Sequence, residues 1–597
     1  MKMRNMLAAQ ALSAVLLAAC DAVPSNGSGV SAVEPAEPTP TAVEAEVEAA
    51  WNKGAMVAAA DPRAVQAGLE VLRNGGSAVD AAIAVHSVLG LVEPQSSGLG
   101  GGAFMVSYNR ESNNITVYDG REVAPMAADE NLFYENGEVL GFVEAWQSGR
   151  SAGVPGIVAL YKAAHDAEGR ADWGGLFSTA ISMAEDGWEV SPRLAGLLAS
   201  DQLKAVVSID DRPDSAAYFY PDGKPLAVGD VVTNQGYASI LRRIAVEGPS
   251  AFYEGENAQA IIDVLSEEPL ATSMTLEDIA SYEVKERPAL CGKRGDYLVC
   301  SAPPPSSGGV TQNMIVGLYD RLIPEGDASY EERLAAYVDA QRLAYADRDH
   351  YVADADFVKV PSQDLINPVY LDARARDRFE PSATPEPGDP GEVLGRGSII
   401  DMWGRDMTEH APGTTHISVV DSDGNAVSMT ATVEAPFGDS RMVNGYLLNN
   451  ELTDFSLEPR KNNLPLANAV GPGKRPRSSM SPTMIFDDQG DLFMVTGSPG
   501  GNSIIAYVSK TIVGVMDWGL SAQEAVDLPN IIARGDSVGV EVDVDGGPEA
   551  AEILRNLGYN VQERTGENSG LHVIVVREDG LEGAADPRRE GVALTLE

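Results

Sequence analysis

The chain has 597 residues, of which 44% are hydrophobic, so it is long enough to bury a large core. Layered sandwich folds hold several hundred residues in one unit, so the length alone does not fix the number of domains. The chain carries 88 acidic and 43 basic residues, for a net charge of −45. A surface of that sign repels phosphate backbones, which argues against nucleic acid as a partner.

The first 20 residues have the composition of an export signal. Two basic residues precede an apolar run that is too short to span a membrane as a mature helix, for which about 20 residues are needed. The run ends in LAAC, which resembles a bacterial lipoprotein box, so Cys20 is expected to carry a lipid; a plain signal peptide cut nearby is the alternative. Residues 21–48 lack periodicity and predict a flexible tether. The segment predicts a membrane-anchored lipoprotein that faces the periplasm or the outside of the cell.

The next elements alternate between helices and strands. Asp61 is placed to cap one helix, and a Ser77–Asp80 capping pair begins a second helix rich in alanine and valine. The stretch GLGGGAFMVSYN lacks the spacing of a nucleotide-binding loop. It predicts instead a loop packed tightly against neighbouring backbone, followed by a strand.

The middle of the chain, residues 150–350, predicts mainly helices, with a rigid bend at the proline-rich residues 301–310. Residues 365–410 are irregular, acidic and rich in proline and glycine, which predicts a linker or a functional loop. Strands dominate after that stretch, so the whole pattern is of the α/β class.

Cys291 and Cys300 lie in CGKRGDYLVC, a spacing that suits the two arms of a hairpin turning at KRG. In an exported chain the pair either forms a structural disulfide or remains as two thiols. A metal site is not expected, because the six histidines are scattered and nothing else has ligand spacing.

The segment PGTTHISVVDSDGNAVSMTATVE, residues 412–434, predicts a β-hairpin, yet two threonines follow its Pro-Gly. Motifs for a serine, zinc or Cys-x-x-Cys enzyme are absent from the sequence. A threonine can serve as nucleophile if its own α-amino group is free to act as base, which requires a cut before it. Glycine at the preceding position tolerates the strained backbone of such an attack. Gly413-Thr414 supplies this pair, although most Gly-Thr pairs simply begin strands.

The surrounding motifs resemble the γ-glutamyltransferase family over roughly residues 50–595. In chain order they are GLGGGAF, DGREVAP, PPPSSGG, TTHISVVDSDGNAVSMTATVEAPFG, GYLLNNELTDFS, NAVGPGKRPRSSMSPT and TGSPGGNSII. The resemblance implies an N-terminal-nucleophile hydrolase, a four-layer α-β-β-α sandwich made as a precursor that cuts itself between Gly413 and Thr414. After a signal (1–20) and a tether (21–48), the products would be a large subunit (49–413) and a small catalytic subunit (414–597) that form a heterodimer.

The resemblance also implies roles for individual residues. Thr414 would form a γ-glutamyl ester, with its new amino group as base, and Thr432 matches the threonine that orients it. Gly500 and Gly501 match the backbone N–H donors of the oxyanion hole. His416 matches the motif as a structural residue, because the free amine already serves as base.

A γ-glutamyl group has a zwitterionic head, so its site needs a cationic and an anionic half. Arg121 matches the clamp on the α-carboxylate, where a guanidinium can bond two oxygens at once. Ser478 and Ser479 match hydroxyls that share this carboxylate. Glu451 and Asp454 match the acceptors for the α-ammonium.

Two departures from the family pattern bear on specificity. Glu434 stands where many members have an asparagine, and a further negative charge there would strengthen the ammonium pocket. The connection between Phe455 and Ser478 is shorter than in members with a lid and contains no tyrosine. This predicts a more open pocket that admits larger substrates.

The resemblance therefore implies an exported γ-glutamyltransferase and glutathione hydrolase that needs no metal or organic cofactor. It would take the γ-glutamyl group from glutathione or related compounds and pass it to water, an amino acid or a peptide. Two alternatives stay open: a cephalosporin (glutaryl) acylase of the same fold, and a lipoprotein that retains the fold as a binding module without catalysis. The complete head-group set favours γ-glutamyl compounds over the first, and the intact nucleophile disfavours the second.

Overall fold

Two large antiparallel sheets form the centre of the chain in this computed structural model. The structure describes residues 51–596, apart from 208, 268–269, 325, 378, 409–412 and 567–568. The predicted signal peptide, the lipidation site Cys20 and the tether lie outside the described residues. The first sheet has the spatial order Val592–Thr595, Met56–Ala59, Gly413–Val420, Ala426–Glu434, Gly102–Asn109, Asn114–Gly120 and Lys285–Pro288. The second has the order Gly580–Ala585, His572–Arg577, Leu492–Gly497, Thr483–Phe486, Tyr297–Ser301 and Leu290–Arg294.

Successive side chains along a strand point to opposite faces of the sheet, so those of the first sheet pack in two different cores. Val57 and Ala59 belong to a core shared with the helices that follow them in the chain. Met56 and Ala58 point the other way and pack with side chains of the second sheet. The first sheet is therefore covered by helices on one face and by the second sheet on the other.

The outer helices complete the layers. Pro62–Arg73 and Ala78–Val92 cover the first sheet, while Gly308–Leu322, Tyr330–Tyr351 and Ile504–Met516 pack in the core that contains the second sheet. This order of layers is the predicted four-layer α-β-β-α sandwich.

The remaining elements surround these layers. The other helices are Phe142–Trp146, Ile157–Glu168, Ser178–Asp186, Pro192–Ala199, Asp201–Val207, Pro213–Phe219, Gln235–Glu247, Ser250–Tyr253, Gly255–Leu265, Leu276–Ala280, Ser362–Leu365, Pro368–Arg374, Pro390–Val393, Ala522–Asp527 and Gly547–Asn556. A three-stranded sheet contains Ile531–Arg534, Ser537–Glu541 and Val561–Arg564. Two-stranded sheets are formed by four pairs of strands: Tyr134–Glu135 with Glu138–Val139; Trp188–Glu189 with Val231–Val232; Met442–Val443 with Tyr446–Leu447; and Arg460–Lys461 with Leu464–Pro465. No helix in the described part of the chain is long and apolar enough to cross a membrane.

The predicted helix starts are confirmed. The Asp61 side chain accepts a hydrogen bond from the Arg63 amide, and Ser77 and Asp80 form a reciprocal capping box. The irregular stretch 365–410 holds more structure than its composition suggested, because short helices such as Pro368–Arg374 form within it.

The glycine-rich segment before the strand Gly102–Asn109 packs against backbone, as predicted. A Cβ at Gly100 would lie 2.1 Å from the Leu447 carbonyl oxygen, and one at Gly101 would lie 2.0 Å from the Thr432 carbonyl oxygen. Only glycine fits at these two positions. The segment thereby supports the strand that carries Thr432.

Cys291 and Cys300 face each other across the hairpin of Leu290–Arg294 and Tyr297–Ser301. Their Cα atoms are 4.1 Å apart and their sulfurs are bonded, so the structure has the disulfide rather than two thiols. The turn lies one residue later than KRG suggested, because Arg294 still pairs with Tyr297 as part of the strand.

Removing this disulfide should lower stability without changing the fold. Replacing both cysteines, Cys291→Ala and Cys300→Ala, frees a short loop in the unfolded chain, for which the loop-entropy estimate is about 2–3 kcal/mol. We expect a lower thermal midpoint for the double variant. A reductant should bring the wild type down to the same midpoint and leave the variant unchanged. Peptide mapping that finds both thiols free in oxidised wild-type protein would contradict the bond.

Candidate active site

Thr414 and Thr432 face each other across two central strands of the first sheet. The register of Gly413–Val420 against Ala426–Glu434 places the two residues directly opposite one another. Their hydroxyl oxygens are 3.2 Å apart, and each residue is only 3% exposed. The contact between the two threonines that the family resemblance implies is therefore present in the structure.

The other hydrogen bonds of the Thr432 hydroxyl determine which threonine is the donor in this contact. This hydroxyl donates to the Gly413 carbonyl over 2.6 Å and accepts the Glu434 amide proton over 2.8 Å. A hydroxyl has one proton to donate, so Thr432 must accept the proton of Thr414. The Thr414 hydroxyl thus directs its proton at the Thr432 oxygen.

Gly413 sits where the strand register shifts, next to Thr414. A Cβ at this position would lie 2.3 Å from the carbonyl carbon of Ala435. A larger residue would therefore push the peptide bond that precedes Thr414 away from the Thr432 hydroxyl.

Gly500 and Gly501 follow the strand Leu492–Gly497 of the second sheet. Their φ angles are +135° and +55°, values that glycine adopts without the cost that other residues bear. Gly501 begins the short 3-10 turn Gly501–Ser503, which leads into the helix Ile504–Met516. Amides at such a start have no partner within the helix and carry its positive dipole, which suits an oxyanion.

A small cavity of about 20 Å³ joins these elements. It is lined by both threonines, by Gly501 and by the whole predicted head-group set, namely Arg121, Glu434, Glu451, Asp454, Ser478 and Ser479. The structure therefore brings together residues that lie more than 350 positions apart in the chain. Gly413 and Gly500 do not line the cavity themselves but adjoin residues that do.

The two charged halves of the head-group site are paired with each other. The Arg121 guanidinium forms ion pairs with Glu451 and, at 2.5 Å, with Asp454. Burial raises the pKa of Asp454 above its ordinary value, and the charge of Arg121 opposes that rise. A zwitterionic ligand would exchange partners with this pair, with its carboxylate at the arginine and its ammonium at the carboxylates.

Glu434 is held by a residue that the sequence did not single out. The Asn450 Nδ2 donates to the Glu434 carboxylate over 2.5 Å, and the Asn450 Oδ1 accepts from the Ala435 amide over 3.0 Å. The φ of Glu434 is +76°, a left-handed conformation that costs a non-glycine residue free energy. These bonds and the one to Thr432 fix that conformation at the edge of the cavity.

The serine pair is supported from the motif PPPSSGG. The Ser307 amide and hydroxyl both donate to the Ser478 carbonyl, over 2.7 and 2.6 Å. Arg348 donates to the Ser479 hydroxyl over 2.6 Å and to the Asn502 side-chain oxygen over 3.0 Å. Arg348 is fully buried in the helix Tyr330–Tyr351, and the run DRD in that otherwise alanine- and tyrosine-rich helix was an available signal for it.

Two further buried ionisable residues adjoin the site. Arg589 donates to the Thr414 carbonyl over 2.8 Å, a contact for which the sequence offers no signal. Glu122 follows Arg121 in DGREVAP, and its carboxylate oxygens have no hydrogen-bond partner among the described residues. Burial raises the pKa of Glu122 from its ordinary 4.5 to about 8.

His416 has the environment of a structural residue. Its ring nitrogens contact the hydroxyls of Thr430 at 2.8 Å and Ser418 at 3.0 Å. Burial, and secondarily the neighbouring His572, hold the pKa of His416 well below its ordinary value. The ring does not line the cavity, in agreement with the sequence-based interpretation.

Comparison with known proteins identifies the family. The family model described as Gamma-glutamyltranspeptidase matches residues 64–596. The chain belongs to the gamma-glutamyltranspeptidase family. "Glutathione hydrolase proenzyme" of Escherichia coli (strain K12) is 34% identical, over 94% of each chain. "Capsule biosynthesis protein CapD proenzyme" of Bacillus anthracis is 30% identical, over 92% of each chain.

Among solved structures, the cephalosporin acylase from Bacillus halodurans superposes with a TM-score of 0.79 at 26% identity. The match covers 95% of this chain and 100% of that one. This gamma-glutamyltranspeptidase family member therefore has the fold of the N-terminal-nucleophile hydrolases and is an enzyme.

The buried Glu122 predicts a pH-dependent stability. Between pH values of about 4.5 and 8 the folded protein holds a proton on Glu122 that the unfolded chain has lost, so this group's contribution to stability falls as the pH rises. Glu122→Gln resembles the protonated form and does not titrate. We expect its thermal midpoint to approach the wild-type value near pH 5 and to exceed it near pH 9. A midpoint difference that stays constant between those two pH values would contradict the raised pKa.

Proposed function

We propose that this enzyme is a γ-glutamyltransferase and glutathione hydrolase whose nucleophile is Thr414. The observation that carries the proposal is the hydrogen bond from Thr432 to the Gly413 carbonyl beside the Thr414 hydroxyl. Thr414 and Thr432 line a cavity that contains the complete head-group set. Residues 1–20 would export the chain, and Cys20 would anchor it through a lipid.

The precursor would cut itself at Gly413-Thr414. The Thr414 hydroxyl oxygen attacks the Gly413 carbonyl carbon, and the Thr432 hydroxyl stabilises the charge on the carbonyl oxygen. The amide C–N bond then breaks, the Thr414 nitrogen takes up the proton, and an ester links the two residues. Water opens this ester to leave a carboxylate on Gly413 and a free amine on Thr414.

The products, residues 49–413 and 414–597, would stay together as a heterodimer. Strand Met56–Ala59 pairs with Gly413–Val420, and Gly102–Asn109 pairs with Ala426–Glu434. The first sheet thus takes strands from both sides of the cut, and separation would break its central hydrogen bonds.

In the mature enzyme the Thr414 amine would take the hydroxyl proton as the oxygen attacks the γ-carbonyl of the donor. The amides of Gly500 and Gly501 would stabilise the oxyanion, and such donors contribute about 3–4 kcal/mol each in other enzymes. The leaving amine receives the proton, and a γ-glutamyl ester remains on Thr414. Water, an amino acid or a peptide then takes the acyl group.

The charges of the cavity support a γ-glutamyl donor over a glutaryl donor. Glu451 and Asp454 lose their cation when a ligand carboxylate takes Arg121, and an α-ammonium replaces it. A glutaryl group has no ammonium, so it would leave two buried carboxylates unpaired. The structural similarity to a cephalosporin acylase makes glutaryl acylase activity the alternative function to be tested.

The first test is the cleavage itself. Thr414→Ala removes the attacking oxygen, so the purified variant should remain a single chain without γ-glutamyl transfer activity. Thr415→Val is a matched control, because the Thr415 hydroxyl has no hydrogen-bond partner among the described residues, and it should be cleaved normally. Normal cleavage of Thr414→Ala would rule out the proposed nucleophile.

The second test separates the two acyl groups. We expect the mature enzyme to hydrolyse γ-glutamyl-4-nitroanilide with a kcat/KM at least about 100-fold above that for glutaryl-4-nitroanilide, because the glutaryl group leaves buried charges unpaired. Asp454→Asn should lower the ratio of the two kcat/KM values, because it removes a negative charge that pairs with the α-ammonium of the γ-glutamyl donor. A preference for the glutaryl anilide would instead support an acylase.

A further inference from the structure

A cavity of about 560 Å³ is distinct from the one at Thr414. No residue lines both cavities. Three arginines, Arg150, Arg212 and Arg441, contribute to the walls of the larger cavity, although the chain as a whole carries a net charge of −45. Guanidinium groups that share one cavity are suited to hold an anion, because each presents several N–H donors in a fixed plane.

Arg212 and Arg441 converge on a single carbonyl oxygen. The Arg212 Nη2 donates to the Gln147 carbonyl over 2.9 Å, and the Arg441 Nη1 donates to the same oxygen over 3.2 Å. Two groups that bond one oxygen lie close together, so their like charges repel. Burial, and secondarily the charge of Arg441, lower the pKa of Arg212. An anion between the two guanidiniums would relieve this repulsion.

Arg212 is the cation of this cavity whose charge is least compensated. Arg150 pairs with Glu135 at 3.0 Å, and Arg441 pairs with the buried Asp439 at 3.2 Å. Arg212 forms no ion pair with a described residue, and its side chain makes only the hydrogen bond to the carbonyl. Three more carboxylates lie near the two converging arginines, and all are exposed to water that screens their charges: Glu144, Asp211 and Glu267.

Each of the two converging arginines keeps a donor atom for a ligand. The Arg212 Nη1 and the Arg441 Nη2 have no hydrogen-bond partner among the described residues. Both atoms retain accessible surface, whereas the Nε atoms of the same residues are buried. A carboxylate has two oxygens, which a single guanidinium can occupy. A phosphate group has further oxygens, so it can bond both arginines at once.

The protein fixes the two arginines relative to each other without a ligand. Arg212 immediately precedes the helix Pro213–Phe219. The hydroxyl of Ser215 in that helix donates over 2.6 Å to the carbonyl of Ser440, the residue before Arg441. Because the backbones that carry the two side chains are joined in this way, a ligand would not have to bring them together, and binding costs less entropy.

We propose that this cavity binds a phosphate group, whose oxygens accept hydrogen bonds from the Arg212 Nη1 and the Arg441 Nη2. The ligand is inorganic phosphate or a phosphate monoester, and the cavity has room for the organic part of a small monoester. The site does not depend on the proposed function, because it shares no lining residue with the cavity at Thr414.

Calorimetric titration of the purified wild-type protein tests this site. Inorganic phosphate and glycerol 3-phosphate are titrated separately at constant ionic strength, and we expect saturable binding of one molecule per chain. Tighter binding of glycerol 3-phosphate would identify a monoester as the ligand, whereas equal or weaker binding would identify free phosphate. Chloride at the same ionic strength should give no saturable heat, because a spherical ion cannot bond both guanidiniums through separate oxygens.

Substitutions of Arg212 separate this site from a general effect of charge. Arg212→Gln should weaken the binding of both probes about 10-fold or more, as the loss of a hydrogen bond from a charged group predicts. Arg212→Lys keeps the charge without the planar fork and should bind with intermediate affinity. Arg396→Gln, in an exposed ion pair with Asp364, makes the same change of charge elsewhere and should bind both probes as the wild type does.

The thermal midpoint adds a second measurement. Without phosphate, Arg212→Gln should melt no lower than the wild type, because it removes a cation that repels Arg441. If that variant does not fold, Arg441→Lys decides instead, since it keeps a charge beside Asp439 but lacks the Nη2 donor. The absence of saturable phosphate binding in the folded wild type would overturn the site. An unchanged affinity in the variant that decides would do the same, and both results leave the proposed γ-glutamyl activity untouched.

Discussion

The register between Gly413–Val420 and Ala426–Glu434 is the constraint on which the site depends. Since side chains alternate between faces, a slip of one residue would turn Thr414 away from Thr432 and the cavity. The register is held on both sides, because these two strands lie between Met56–Ala59 and Gly102–Asn109 in the middle of the sheet. Gly101 adds a close contact with the Thr432 carbonyl that excludes any side chain. The position of Thr414 relative to Thr432 therefore depends on the packing of the whole core.

The electrostatics of the cavity depend on which carboxyl groups are ionised. Arg121 forms ion pairs with both Glu451 and Asp454, and Glu122 lies 4.0 Å from the same guanidinium. An ionised Glu122 would compete for Arg121 and add an uncompensated buried charge. Because burial raises its pKa to about 8, Glu122 is mostly neutral at pH 7 and leaves Arg121 to the two carboxylates that line the cavity.

The sequence predicted the residues that line the site better than those that support it. Thr414, Thr432 and the head-group residues lie in long motifs, so their order along the chain carried the information. Arg348 contacts Ser479 across 131 residues, and Arg589 contacts Thr414 across 175. Contacts at such separations arise from the packing of layers: the run DRD marks Arg348 as an unusual residue of its helix, but no local pattern shows which residue it contacts.

Under the proposed mechanism, the Thr414 hydroxyl is the attacking group both in the self-cleavage and in the acyl transfer. In the uncut chain Thr432 donates to the Gly413 carbonyl, the Thr414 nitrogen belongs to an amide, and an amide nitrogen cannot act as a base. The cut converts that carbonyl into a free carboxylate and creates the amine at the same time. The Thr414 oxygen then has both an orienting hydroxyl and a base within its own residue. Under this mechanism the uncut chain lacks the base that acyl transfer requires.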